Sequence, residues 1–82
     1  MSKINPHDCM MVLASSMDNL HREMLQKKSF EAACSYWYIM GQLNGMCSMP
    51  GSDIQEVDVQ RILSRAMDCA RRAGATDEML LA

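Results

Sequence analysis

Apolar residues recur at steps of three and four near the start of this chain. Met10, Leu13, Met17, Leu20 and Met24 make one seam, and Ala14, His21 and Leu25 widen it on one side. That period predicts an amphipathic helix over about residues 6–27, with Asp18, Arg22 and Glu23 on its solvated face and Asp18 set four residues before Arg22 as a supporting pair. The start is marked by Asn5 as N-cap, Pro6 at the first helical position and Asp8 at the positive end of the dipole. Lys27 and Lys28 suit the negative end, and Ser29 then offers an N-cap for a second helix. So short a connection makes the two helices an antiparallel hairpin.

The second helix is predicted over about residues 30–44, with Phe30, Ala33, Cys34, Trp37 and Met40 as its packing stripe and Gly45 as a left-handed C-cap. Ala33 leaves room for close approach of the first helix, and Gly41 extends the small-residue surface. Tyr36 and Tyr38 flank Trp37 on other sides of the helix, so the three aromatics cannot share one core. An exposed aromatic there is a candidate interface anchor. Residues 46–51 read as a loop with a Pro50-Gly51 turn. Ser52 and Gln55 form a capping-box pattern that opens a third helix over about residues 53–73. Val59, Leu63, Ala66, Ala70 and Ala73 keep helical spacing there, with Ile62 and Met67 beside them, and Gly74 closes the helix after Arg71 and Arg72. Thr76, Asp77 and Glu78 offer a start for one last short turn carrying Met79, Leu80 and Leu81. The expectation is an all-α, three-helix bundle forming a single domain over residues 1–82.

Composition changes the picture in three respects. A hydrophobic content of 49% is too high for a disordered chain, while 22% charged residues is ordinary for a folded one. A chain of 82 residues buries only about 60–65% of the surface it exposes when unfolded, which leaves apolar surface for self-association as a homo-oligomer. No apolar run is long enough to cross a bilayer, and the first residues do not form a signal-peptide core, so a cytoplasmic location is expected.

The four cysteines, at 9, 34, 47 and 69, form no Cys-x-x-Cys pair, and reduced thiols are expected. A zinc site would need His7 and Cys9 joined by Cys34, Cys47 or His21, and free Cys is more commonly a small buried hydrophobe. No metal or other cofactor is expected. Catalytic motifs with the required spacing are missing, and a Cys9–His21 pair assembled by the fold is the one nucleophile–base combination left open. The expectation is therefore a protein that is not an enzyme.

Arg61, Arg65 and Arg72 share a helical face with Arg71 beside them, a basic contact surface for a partner. Asp58 and Asp68 sit at helical spacing from these arginines, and the net charge of −2 opposes phosphate binding, so nucleic acid is less favoured as partner than protein. Ten methionines supply adaptable apolar surface. Met17 and Met24 read as core, whereas Met46 and Met49 stay divided between core and docking.

The segment Leu25-Gln26-Lys27-Lys28-Ser29-Phe30-Glu31-Ala32-Ala33-Cys34-Ser35-Tyr36-Trp37 is similar to the central motif of PerC-like proteins, small regulators that include negative regulators of AraC-type activators. In that motif a charged turn and an aromatic precede Ala-Ala and a Trp. The segment from Arg61 to Ala73, basic and carrying Cys69, resembles their second helical block. The resemblance spans roughly residues 20–73. It implies a transcriptional regulator of enteric bacteria, often carried by mobile elements and controlling virulence, that acts at promoters or by binding an AraC-type protein or the nucleoid protein H-NS. The chain departs from the family where arginines often precede the Ala pair. Phe30-Glu31 stands there and removes basic charge, which favours regulation through protein binding.

On this reading Phe30, Ala33 and Trp37 form the structural centre, while Tyr36, Tyr38 and the arginine face are contact surface. The mechanism would be occlusion of a transcription factor's dimerisation or DNA-binding surface. Direct DNA binding and a helical adaptor that holds another chain in a Met-rich groove are the other classes left open.

Overall fold

The first helix runs from Pro6 to Leu25 (α1) and ends in a left-handed turn that carries the chain straight into the second, Ser29–Cys47 (α2). The computed structural model describes residues 6–48, 51 and 54–81. The third helix is Glu56–Arg72 (α3), and a short fourth, Asp77–Leu80 (α4), closes the described chain. There is no strand among the described residues, so the all-α bundle stands: α1 and α2 form the expected hairpin, and α3 packs against both.

Leu13 and Leu20 are buried and Met17 and Met24 half-buried, as the seam on α1 requires. The face is rotated from the expected one, however. Ala14, His21 and Leu25 are exposed, whereas Ser16 is buried and Cys9 half-buried on the other flank. Ser16 can be accommodated because its hydroxyl donates to the Val12 carbonyl at 3.1 Å, leaving no unmet donor in the interior. Glu23, placed by sequence on the solvated face, is half-buried and accepts a hydrogen bond from Ser35 Oγ on α2.

The larger correction concerns α2. Its buried face is Ala32, Tyr36, Ile39, Leu43 and Met46, with Ala33 beside it, not the stripe through Phe30, Cys34 and Trp37. These residues repeat at steps of four and three, so the periodicity was present. It was ambiguous because Glu31 is the only charged residue in the helix, and nothing else marks the solvent side. Gly45 does not end the helix either. The helix runs on because Met46 belongs to the buried face, and it stops at Ser48, whose amide and hydroxyl both return to the Asn44 carbonyl.

Among the described residues three left-handed positions lie between the elements: Lys27, Gly74 and, in the expected turn between α2 and α3, Gly51 at φ 76°. Lys27 has φ 56°, with the Lys28 amide donating to the Glu23 carbonyl at 2.9 Å and the Lys27 amide to Met24 at 3.2 Å, a Schellman closure built on lysine. Lys28 and not Ser29 therefore occupies the N-cap of α2. Gly74, at φ 105°, closes α3 as its sequence position predicts, with Ala75 N donating to the Ala70 carbonyl. A Cβ at Gly74 would lie 3.4 Å from Cβ of Ser29, so the turn after α3 rests on the start of α2. Lys27→Gly is expected to raise stability by about 0.5–1 kcal/mol, because relief of the left-handed strain exceeds the loss of an exposed Lys27 Nζ–Arg72 carbonyl bond. A urea midpoint that falls in this variant would show that the tether to α3 outweighs the strain.

The start of α3 lies at Glu56 and not near 53: Gln55, expected inside the first turn as the partner of Ser52 in a capping box, is itself the N-cap, and Ser52 and Asp53, like Met49 and Pro50, lie outside the described residues. Val59, Ile62, Leu63 and Met67 pack at the edge of the core around buried Ala66, Ala70 and Ala73. The last turn is integral to the fold. Leu80 is fully buried, Trp37 Nε1 donates to the Met79 carbonyl at 2.7 Å, and Arg71 meets Asp77 at 3.2 Å.

Candidate protein-binding surface

Alanine supplies six of the thirteen buried apolar residues among those described, and four of these lie on α3 and the turn after it. Small side chains bring backbones close but leave little room to enclose larger ones. Large apolar residues are consequently displaced outward: Met10, Met11, Val12, Phe30, Tyr38 and Val57 are each about half or more exposed. These define the surfaces available to a partner.

The residues expected to act together fall into separate places. Ala33 and Tyr36 belong to the core. Phe30 is 66% exposed and Tyr38 61% exposed on the outer side of α2. Trp37 lies at the rim, 38% exposed, its ring edge-on to Tyr36 at 5.8 Å. The structural centre is thus Ile39, Leu43, Leu20 and Leu80, the largest side chains that are fully enclosed, and of the expected trio only Ala33 joins them. Tyr36 is removed from the contact surface for the same reason.

The arginines also divide. Arg72 is held by Asp68 at 3.1 Å one turn earlier, and Arg71 turns away to Asp77. Both pairs are exposed and contribute little to stability, but they neutralise the C-terminal half of the basic face. Arg61 and Arg65 have no ion-pair partner among the described residues. They border a concavity of about 240 Å³ between α1 and α3, with Met10, Leu13, Ala14, Met17 and Ile62. Sequence reasoning placed Met10 and Met17 in the core seam and did not join them to the arginines. The link was hidden because it depends on how α1 is rotated against α3.

A second, wider concavity of about 450 Å³ lies between α1 and α2, lined by Ser16, Asn19, Glu23, Phe30, Glu31, Cys34, Ser35 and Tyr38. Within it Ser35 Oγ donates to Glu23, and the Ser16 hydroxyl is turned to the Val12 carbonyl. No group of three or more His, Cys, Asp or Glu among the described residues is placed to hold a metal ion. All four cysteines are free. Cys9 and His21 stand twelve positions apart on α1, about 18 Å along its axis, and cannot act as a nucleophile–base pair within one chain. Among the described residues no helix is long and apolar enough to cross a membrane.

No family model, curated protein or solved structure matches this chain.

Proposed function

We propose that this chain is a small non-enzymatic bacterial regulator that works by binding another protein, a transcription factor or nucleoid protein, through the concavity between α1 and α3. The observation that carries the reading is the pairing of an apolar floor, Met10, Met17 and Ile62, with a rim of two unneutralised cations, Arg61 and Arg65. Flexible thioethers adapt to an incoming apolar side chain, and unpaired arginines select acidic neighbours around it. The partner that fits is an amphipathic helix or extended segment carrying carboxylates. Occlusion of such a segment needs no bond to be made or broken. The likeness of residues 20–73 to PerC-like regulators supports a transcriptional setting in the cytoplasm.

The test begins with capture of partners from the native cell on the full chain, and then uses the captured protein in purified form. Calorimetry is expected to give binding that weakens at least about 10-fold in the Arg61→Glu/Arg65→Glu variant, because like charges then face the partner's carboxylates. A purified transcription factor or nucleoid protein bound equally by both forms would sink the proposed site. Binding to duplex DNA that falls steeply with rising salt, with no such protein captured, would replace the reading by direct DNA recognition.

A further inference from the structure

The outer face of α2 holds Phe30, Cys34, Trp37, Tyr38, Gly41 and Gly45, all exposed. One feature of it has no explanation inside one chain. Gly41 and Gly45 are both helical, each costs about 1 kcal/mol relative to alanine, and a Cβ at either would meet nothing within 4 Å. No turn, cap or intramolecular approach requires them.

We infer that this face is the interface of a homodimer in which the α2 helices of two copies pack antiparallel about a two-fold axis. The spacing is self-complementary. In an antiparallel pair centred between Trp37 and Tyr38, position 30 falls level with 45 of the second copy, 34 with 41 and 37 with 38, so every member of the face meets another member of it. That is the requirement of an isologous contact. Sizes match as well: Phe30 comes level with a glycine, and Cys34 with the other glycine, which lets the helix axes approach closely along the centre.

The charges agree with the same register. Glu31 comes level with Asn44 of the second copy, so the one acidic residue on α2 does not face its own image. The rim bond from Trp37 Nε1 to the Met79 carbonyl holds the indole in place before association.

This surface is separate from the α1–α3 concavity, so failure of either proposal leaves the other standing. The experiment is sedimentation equilibrium of the full chain in excess reductant, which removes dimers made by exposed Cys34 or Cys47. In the proposed register the two Cys34 sulfurs are offset by seven residues, about 10 Å along the helix, so reductant leaves the dimer intact. The wild-type chain is expected to sediment at twice 9.2 kDa. Gly41→Leu and Gly45→Leu are expected to keep full helicity, since open space receives the new side chain, while weakening the dimer by about 100-fold or more. A wild-type chain that is monomeric at about 100 µM overturns the proposal. A dimer equally tight in both glycine variants overturns the assignment of this face.

Discussion

Replacing Tyr36 with alanine is expected to remove about 3–5 kcal/mol of stability, and replacing its neighbour Trp37 only about 1–2 kcal/mol. Tyr36 is 3% exposed and fills the middle of the α2 core face, so its loss leaves a cavity that the helices around it cannot close. Trp37 is the larger ring, but it is 38% exposed. Its removal forfeits one hydrogen bond to α4, part of a ring contact and partial burial. A domain of 82 residues has a stability of about 4–12 kcal/mol, so the first change brings this protein near its unfolding threshold and the second does not. Urea unfolding followed by circular dichroism, at a protein concentration low enough that the chain is monomeric, measures both variants without a contribution from the proposed dimer face. Equal losses, or a larger loss for Trp37, would mean that the helix is rotated from the orientation described.

Ala66→Leu is expected to cost about 3 kcal/mol, the upper part of the range for overpacking, while Ala14→Leu stays within about 0.5 kcal/mol of the wild type. Both changes add the same atoms to a helix, and both residue types favour helix. The difference is that Ala66 is fully enclosed among Ala70, Ala73 and the α2 face, whereas Ala14 is exposed. Four consecutive core positions of α3 and its following turn, Ala66, Ala70, Ala73 and Ala75, are alanine, so no neighbouring side chain can be shortened to make room. The axes of α2 and α3 would have to separate, and Leu80 and the Trp37 tether would be disturbed with them. Comparable unfolding midpoints for the two variants would show that the α2–α3 seam is looser than its burial implies.

These two contrasts mark where the reading of the chain succeeded and where it did not. On α3, charged residues occupy one side so completely that the apolar side was unambiguous, and Val59, Leu63, Ala66, Ala70 and Ala73 all lie on it. Gly74 closed that helix because a left-handed residue was needed and glycine stood in the right place. On α2 the buried face is not the stripe that carries the large aromatics. With one charged residue in nineteen, its apolar periodicity supports two stripes of similar quality, and sequence reasoning followed the one that held the large aromatics. Once Phe30 and Trp37 were taken with Ala33 as the packing stripe, Tyr36 and Tyr38, which flank Trp37 on other sides of the helix, had to be placed outside it.

The basic face was legible as a spacing but not as a charge. Arg61, Arg65 and Arg72 do share a side of α3, yet which of them stays unpaired depends on the rotamers that Asp68 and Asp77 adopt. Likewise Met10 and Met17 were recognised as seam residues. That they border Arg61 and Arg65 follows from the rotation of α1, which buried Ser16 in place of Ala14.

Local signals determined by themselves that this polypeptide is a set of helices, roughly where each begins and ends, and that the first two fold back on one another. Such signals act over one or two turns: caps, glycines and the 3.6-residue period, each a property of neighbouring residues. Which side of α2 faces inward was decided only by tertiary packing, because a helix with Glu31 as its single charged residue has only a small difference in desolvation cost between its sides. The alanines of α3 share one buried cluster with Ala32 and Tyr36 and leave Phe30, Trp37 and Tyr38 exposed. Volume, not polarity, made that choice, and volume is fixed between elements, not along the chain.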